Sequence, residues 1–429
     1  MAWQTYKEKL KFLSSALVTA QEPIRILNSI RPKPEVVEQF RQSSFKDIPK
    51  IRPEDYSSSS DLDCGKKISE LQDIKAKIRL ELKPTDDFGY LLTEIADQYI
   101  LILEMLQNRG TKRFSEISKK LYGSTSDHLV SDKNTVLQMS LLLYKILTGI
   151  KNTLTIPNND KILTADQAME DLNNRFLSTY GDLRIEAVIS DGIISDAAAG
   201  GDKIKLRKDA MFSKRDLDIF EVHEGWVHVG TTINGRLQNV AKWLSIGPPR
   251  CTSTQEGLAV LMEIFTFRTS VMRAQIINDR IIAVAKAEDG ADLVQVFEYF
   301  RTEGYSEEDC IKNSFRVFRG GDFTGGCPFT KDISYCKGFV ENYNFMRTAI
   351  RANKPFLIPF LFAGKVHVDD VPLIYRGYKE GLVLPPTYLP QQFADINGIA
   401  VWMSFSSFFN KVDLKSVQNH YNKLFAQHI

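Results

Sequence analysis

The run His223-Glu224-Gly225-Trp226-Val227-His228 constrains this chain more than any other stretch. Only 6 histidines occur in 429 residues, and two of them flank a glutamate in this one run. Neutral imidazoles beside a carboxylate are the vocabulary of a zinc hydrolase, with the rings as ligands and the carboxylate as proton acceptor. In the common H-E-x-x-H form the histidines sit four apart and share one face of a helix. Here they sit five apart, which an ideal helix rotates by roughly 140°. One residue absorbed as a π-type bulge returns both rings to one face. Gly225, inside the run, weakens a regular helix by about 1 kcal/mol and suits such a rewinding. The spacing therefore predicts a π-bulge between His223 and His228.

A catalytic zinc needs a third protein ligand while one position stays free for water. Ser213, with Asp216 three residues on, predicts the start of the histidine helix, and Asn234-Gly235 predicts its end. Past a Gly247-Pro248-Pro249 turn, a second helix is expected from Cys251 to about Ile277. Glu256 opens that helix and admits two readings. Ser253-Thr254-Gln255-Glu256 has capping-box form, in which Glu256 folds back on Ser253. Alternatively Glu256 is the missing ligand, presented by an antiparallel partner helix.

Together, His-Glu-Gly-Trp-Val-His and Ser-Thr-Gln-Glu-Gly-Leu-Ala resemble the QEGLA-motif proteins. The eukaryotic branch of that family contains the microtubule-associated tyrosine carboxypeptidases, which remove the C-terminal tyrosine of α-tubulin. The resemblance implies a zinc metallopeptidase with a zincin-like core and an H-E-x-x-x-H site. It implies His223, His228 and Glu256 as metal ligands and Glu224 as general base.

A carboxypeptidase must also hold a terminal carboxylate. The glycine-rich stretch Gly320 to Phe329 leads into a predicted helix at Thr330-Lys331-Asp332. A turn of this kind gathers backbone N–H groups of positive partial charge at a helix start. Thr330 and the flanking Arg316, Arg319 and Lys331 form the best candidate anion site. Tyr335, one turn further, is a candidate donor to the developing oxyanion.

The remaining chain reads as helices around a small sheet. Strands are expected at Arg184 to Ile189 and Lys203 to Arg207, joined as an antiparallel pair ahead of the histidine helix. The alternating lysines make Lys203 to Arg207 the expected exposed edge, suited to receive a substrate backbone. The fold class is thus mainly α with a small antiparallel β-sheet. Expected regions are an N-terminal helical cover (1–85), a helical subdomain (86–180), a catalytic core (181–350) and a C-terminal helical region (351–429). Ser57 to Ser60 reads as a surface loop. His128 reads as a solvated loop residue. His367, beside Asp369 and Asp370, reads as an exposed histidine at a helix start rather than a second metal site.

Net charge of +2 gives no argument for nucleic acid or membrane as partner. The 5 cysteines form no C-x-x-C pair and read as reduced thiols. No apolar run reaches membrane-spanning length, and the N-terminus lacks a signal peptide's apolar segment. The expectation is a cytoplasmic enzyme acting on a peptide or protein C-terminus. The competing expectation is a non-catalytic regulatory protein with a structural metal, Cys251 being its candidate fourth ligand.

Overall fold

The computed structural model describes residues 2–57, 62–151, 153, 160–182, 184–191 and 196–428. The expected serine loop falls largely on residues 58–60, outside the described residues, as do 192–195 between the expected strands.

Helices dominate. α1 (Ala2–Gln21), α2 (Cys64–Glu81) and α3 (Asp87–Gln107) pack together, followed by α4 (Lys112–Tyr122), α5 (Val136–Lys151) and α6 (Ala165–Tyr180). Local sequence sets several starts. Asp86 accepts from the Gly89 amide to cap α3, and Thr164 and Gln167 cap α6 reciprocally. The metal-motif segment begins the same way: Ser213 and Asp216 form a reciprocal cap on α7 (Lys214–Phe220). A π-helix (Glu221–Val229) follows without a break and continues as α8 (Gly230–Leu237). The predicted π-bulge is present and extends over the whole of this segment rather than a single residue. The helix ends at Leu237, close to the expected stop at Asn234-Gly235, and Asn234 is buried and donates to the Phe362 and Tyr388 carbonyls.

After a turn at Lys242–Ser245 come α9 (Arg250–Phe265), α10 (Val271–Glu288), α11 (Glu307–Phe318) and α12 (Ser334–Arg351). The single helix expected from Cys251 to Ile277 is two: α9 ends at Phe265, and Ser270 caps α10. α13 (Asn397–Phe409) packs on α12, and α14 (Leu414–His428) closes the chain. No described helix is long and apolar enough to cross a membrane.

The sheet is mixed, not antiparallel. β1 (Glu186–Ser190), β2 (Ala197–Gly200) and β3 (Lys203–Arg207) lie in the order β1-β3-β2. β1 runs parallel to β3, and β2 antiparallel to it. The expectation failed because a third strand reverses the chain between the other two. β3 is consequently the central strand. Its lysines mark the sheet's solvent face, while Ile204 and Leu206 are buried on the other. The edges are β1 and β2, and the small Ala-Ala-Ala-Gly sequence of β2 carries no strand signal of its own.

Two hydrophobic clusters hold these elements. The first joins α1 to α4 with the π-helix and α9 through residues such as Val222, Val227, Leu258 and Met262. The second joins α10 and α11 through Ile281, Val284, Phe315 and Phe318. Val222, Trp226, Val227 and Val229 of the metal-motif segment belong to the first cluster, while Phe315, Val317 and Phe318, which flank Arg316, belong to the second.

Candidate metal centre

The wider π-turn brings His223 and His228 together, with ring centroids 5.0 Å apart. Glu256 faces them from α9, its Oε2 lying 3.8 Å from His223 Nε2 and 3.6 Å from His228 Nε2. The three side chains offer ligand atoms within 4.8 Å of one another, the only such group among the described residues. Two imidazoles and a carboxylate at this separation suit zinc. Because α9 starts at Arg250, Ser253 lies inside the helix and Glu256 points to the histidines. The capping-box reading is thereby excluded.

Backbone contact sets the depth of each ligand helix. A side chain at Gly257 would place its Cβ 2.0 Å from the Gly338 carbonyl carbon on α12, so α9 and α12 touch main chain to main chain. At Gly225 a Cβ would sit 2.5 Å from the Phe176 ring of α6. That residue therefore answers to packing as well as to the rewound helix.

Carboxylates and cations are paired around the three candidate ligands. His223 Nδ1 is bonded to Glu263 Oε1 at 2.7 Å, and Arg273 donates to the same oxygen at 3.0 Å. Burial alone would depress the His223 imidazolium, but Glu256 and Glu263 outweigh it and push the group up to about 9. Burial would raise Glu263, yet Arg273 and His223 hold it at about 2. Lys331 Nζ donates to Glu256 Oε1 at 2.5 Å. Despite burial, this lysine and the two histidines keep Glu256 well below the usual carboxylate range.

Glu224 stands beside the ligands, Oε1 4.0 Å from His223 Nε2. Its Oε2 accepts from the Ala199 amide of β2 at 2.9 Å. Hydrogen bonding alternates along an antiparallel pair. With Arg207 donating to Asp196, Ala197 and Ala199 turn their amides away from β3. The outer edge of β2 thus faces Glu224, which takes the Ala199 amide, and the Ala197 amide also points outward.

A family model described as microtubule-associated tyrosine carboxypeptidase matches residues 38–411. The chain belongs to this family. No curated protein matches it. Every residue of the metal motif in this family member falls within the matched span.

The predicted anion site is assembled differently in this carboxypeptidase-family chain. The Thr330 amide and hydroxyl are both taken by Ser118, at 2.9 and 3.0 Å. The Phe329 amide is bound to the Val317 carbonyl, so these two amides of the expected pocket are spent inside the fold. Arg316 is committed to Asp332 in a two-point pair at 2.6 and 2.8 Å. Lys331 is engaged by Glu256. Arg319 stacks on Phe329, its guanidinium carbon 5.1 Å from the ring centroid, with a buried Nε that has no partner. Arg280, which the sequence reading missed, donates from Nε to Asn313 at 2.8 Å. Neither Arg280 nor Arg319 has a carboxylate partner among the described residues. Burial, then the charge of Arg316, pushes both down to about 10.

Tyr335 lies between these cations and the ligands, its ring centroid 6.5 Å from that of His223. Burial and Glu256 raise its pKa, so the phenol keeps its proton. Cys251 donates to the Lys365 carbonyl and stands outside the ligand group. The structural-metal expectation loses its fourth ligand there. His128 is exposed, as expected. His367 is instead largely buried, where desolvation pushes it down to about 4, and it accepts from the Asp369 amide.

Proposed function

We propose that this chain is a zinc-dependent carboxypeptidase that removes the last residue, tyrosine by the family's description, from a protein C-terminus such as that of tubulin. The observation that carries the reading is the convergence of His223, His228 and Glu256 on one point, with Glu224 alongside and two unneutralised guanidiniums nearby. In a zincin-like core of this kind His223, His228 and Glu256 would hold the metal. When bound, zinc supplies Lewis-acid polarisation of the scissile carbonyl and acidifies a water.

The chain's own groups supply the rest. Glu224 accepts the water's proton and returns it to the leaving amine. The Ala199 amide orients Glu224 for that transfer. Glu263, fixed by Arg273, holds the His223 ring with Nε2 toward the centre. Lys331 occupies one oxygen of Glu256 and leaves the other for the metal. Tyr335 donates its proton in a hydrogen bond to the developing oxyanion. The β2 edge receives the substrate backbone as an added strand. Arg280 and Arg319 take the terminal carboxylate, in place of the predicted Arg316, Lys331 and Thr330. A carboxylate there neutralises two desolvated cations, a gain that an amidated terminus does not provide.

The test is elemental analysis of the purified protein, then incubation with matched peptides ending in tyrosine with free or amidated termini. Zinc near one per chain and release of tyrosine from the free acid alone are expected. Equal cleavage of both peptides refutes carboxylate recognition, and protein that takes up no zinc refutes the mechanism.

A further inference from the structure

Lys365 follows a buried helical turn at Pro355–Phe362 and is far in sequence from either metal motif. All of its polar groups are committed, and each reaches an element next to a ligand. Its amide donates to the Leu244 carbonyl at 2.7 Å, in the turn that follows the histidine helix. Its carbonyl accepts from Cys251 Sγ at 3.2 Å, in the first turn of the Glu256 helix. Its ammonium has three protons and meets three neutral acceptors. These are the His228 carbonyl at 2.8 Å, Thr231 Oγ1 at 3.1 Å and Gln255 Oε1 at 3.0 Å.

Two of those acceptors adjoin the metal site directly. His228 is a ligand, and its carbonyl also receives the Thr232 hydroxyl at 2.8 Å. Gln255 precedes Glu256, and its Oε1 lies 2.8 Å from Thr231 Oγ1 across the gap between the helices, a hydroxyl that also reaches the Val227 carbonyl at 2.6 Å. Lysine only donates, so the Gln255 oxygen must face it. The glutamine of Gln-Glu-Gly-Leu-Ala is thus the acceptor on the Glu256 side of a bridge.

We propose that Lys365 is a positioning residue for the metal centre, joining the His228 turn to the Glu256 helix through one ammonium. The proposal rests on the metal-centre reading above and adds a residue that does not touch metal or substrate. No other standard side chain of similar length brings three donors to one point, so glutamine or methionine cannot span the same acceptors. Losing the bridge frees the His228 backbone and the Gln255 side chain together. The ligand atoms then sample more than one arrangement.

The experiment compares wild type, Lys365→Met and Gln255→Leu by zinc competition against a chelator, by the visible spectrum after cobalt substitution, and by urea unfolding of the metal-free proteins. Expected is a loss of zinc affinity of roughly 10- to 100-fold in each variant, the range typical of outer partners of metal ligands. An altered cobalt band and no further loss in the double variant are also expected. A folded Lys365→Met with wild-type affinity and spectrum overturns the proposal, even if its urea midpoint falls, because that pattern means stability alone. If Lys365→Met does not fold, Gln255→Leu decides by the same two readings. Wild-type protein that binds no zinc would instead overturn the function proposed above, so the two failures are distinguishable.

Discussion

The two walls of the site solve the problem of buried charge in opposite ways. On the ligand wall the buried carboxylates have cationic partners: Glu263 with Arg273, and Glu256 with Lys331. On the opposite wall, where α10 beyond Arg273 meets α11 and its C-cap Arg319, Arg316 is neutralised by Asp332 while Arg280 and Arg319 are not. Buried ions are expensive unless paired. A wall that is balanced before any ligand arrives is a holder. A wall left with surplus cations has a charge to give to something that comes and goes. Under the function proposed above, the difference separates the metal's side of the site from the substrate's.

That contrast can be broken at several points. The largest effect is expected from Glu224→Gln, which keeps the ligands intact and should cut turnover roughly 100- to 10,000-fold with zinc still bound; full activity would remove Glu224 as the base. Glu256→Ala should weaken zinc by more than the roughly 10- to 100-fold cost of an outer partner, measured by chelator competition. Arg280→Met should raise KM roughly 10-fold or more for a free-acid peptide, as expected for losing a hydrogen bond to a charged group. It should leave zinc affinity unchanged. A drop in zinc content instead would assign Arg280 to the ligand wall.

Glu263→Gln sharpens the same contrast through pH. The Glu263 carboxyl is held at about 2 in the fold, against 4.5 for the free group. Its stabilisation is therefore fully present above about pH 4.5 and lost as pH falls toward 2. Metal-free wild type should lose stability through that window in urea titrations, and Glu263→Gln should be flatter there. The smallest change is Gly257→Ala, which inserts one methyl between two backbones and should cost about 1–3 kcal/mol of stability, read as a lower urea midpoint.

Much of the ligand wall was legible in the sequence because its chemistry is local. Five-residue spacing forced a π-turn, and Ser213 with Asp216 marked the helix start. Glu263 was missed, although it lies seven residues, or two turns, beyond Glu256 on the same helix face. Arg280 repeats the same interval from Arg273. The cationic wall was misread because its pairing is long-range: nothing near Arg316 in sequence reveals that Asp332 satisfies it, or that Ser118 occupies the Thr330 amide. The sheet was misread for a related reason. Three alanines and a glycine carry no pattern, and only the pairing with β3 makes them a strand. Lys365 gave no signal, because its importance lies in which carbonyl its ammonium reaches.

The contact of Gly257 with Gly338 has a mechanical consequence. Where side chains separate two helices, rotamer changes let them ride up and down on one another. Here peptide bears on peptide, and no such slack exists between α9 and α12. Glu256 on the first helix and Tyr335 on the second therefore travel as one rigid body, and any opening of the cleft has to hinge elsewhere.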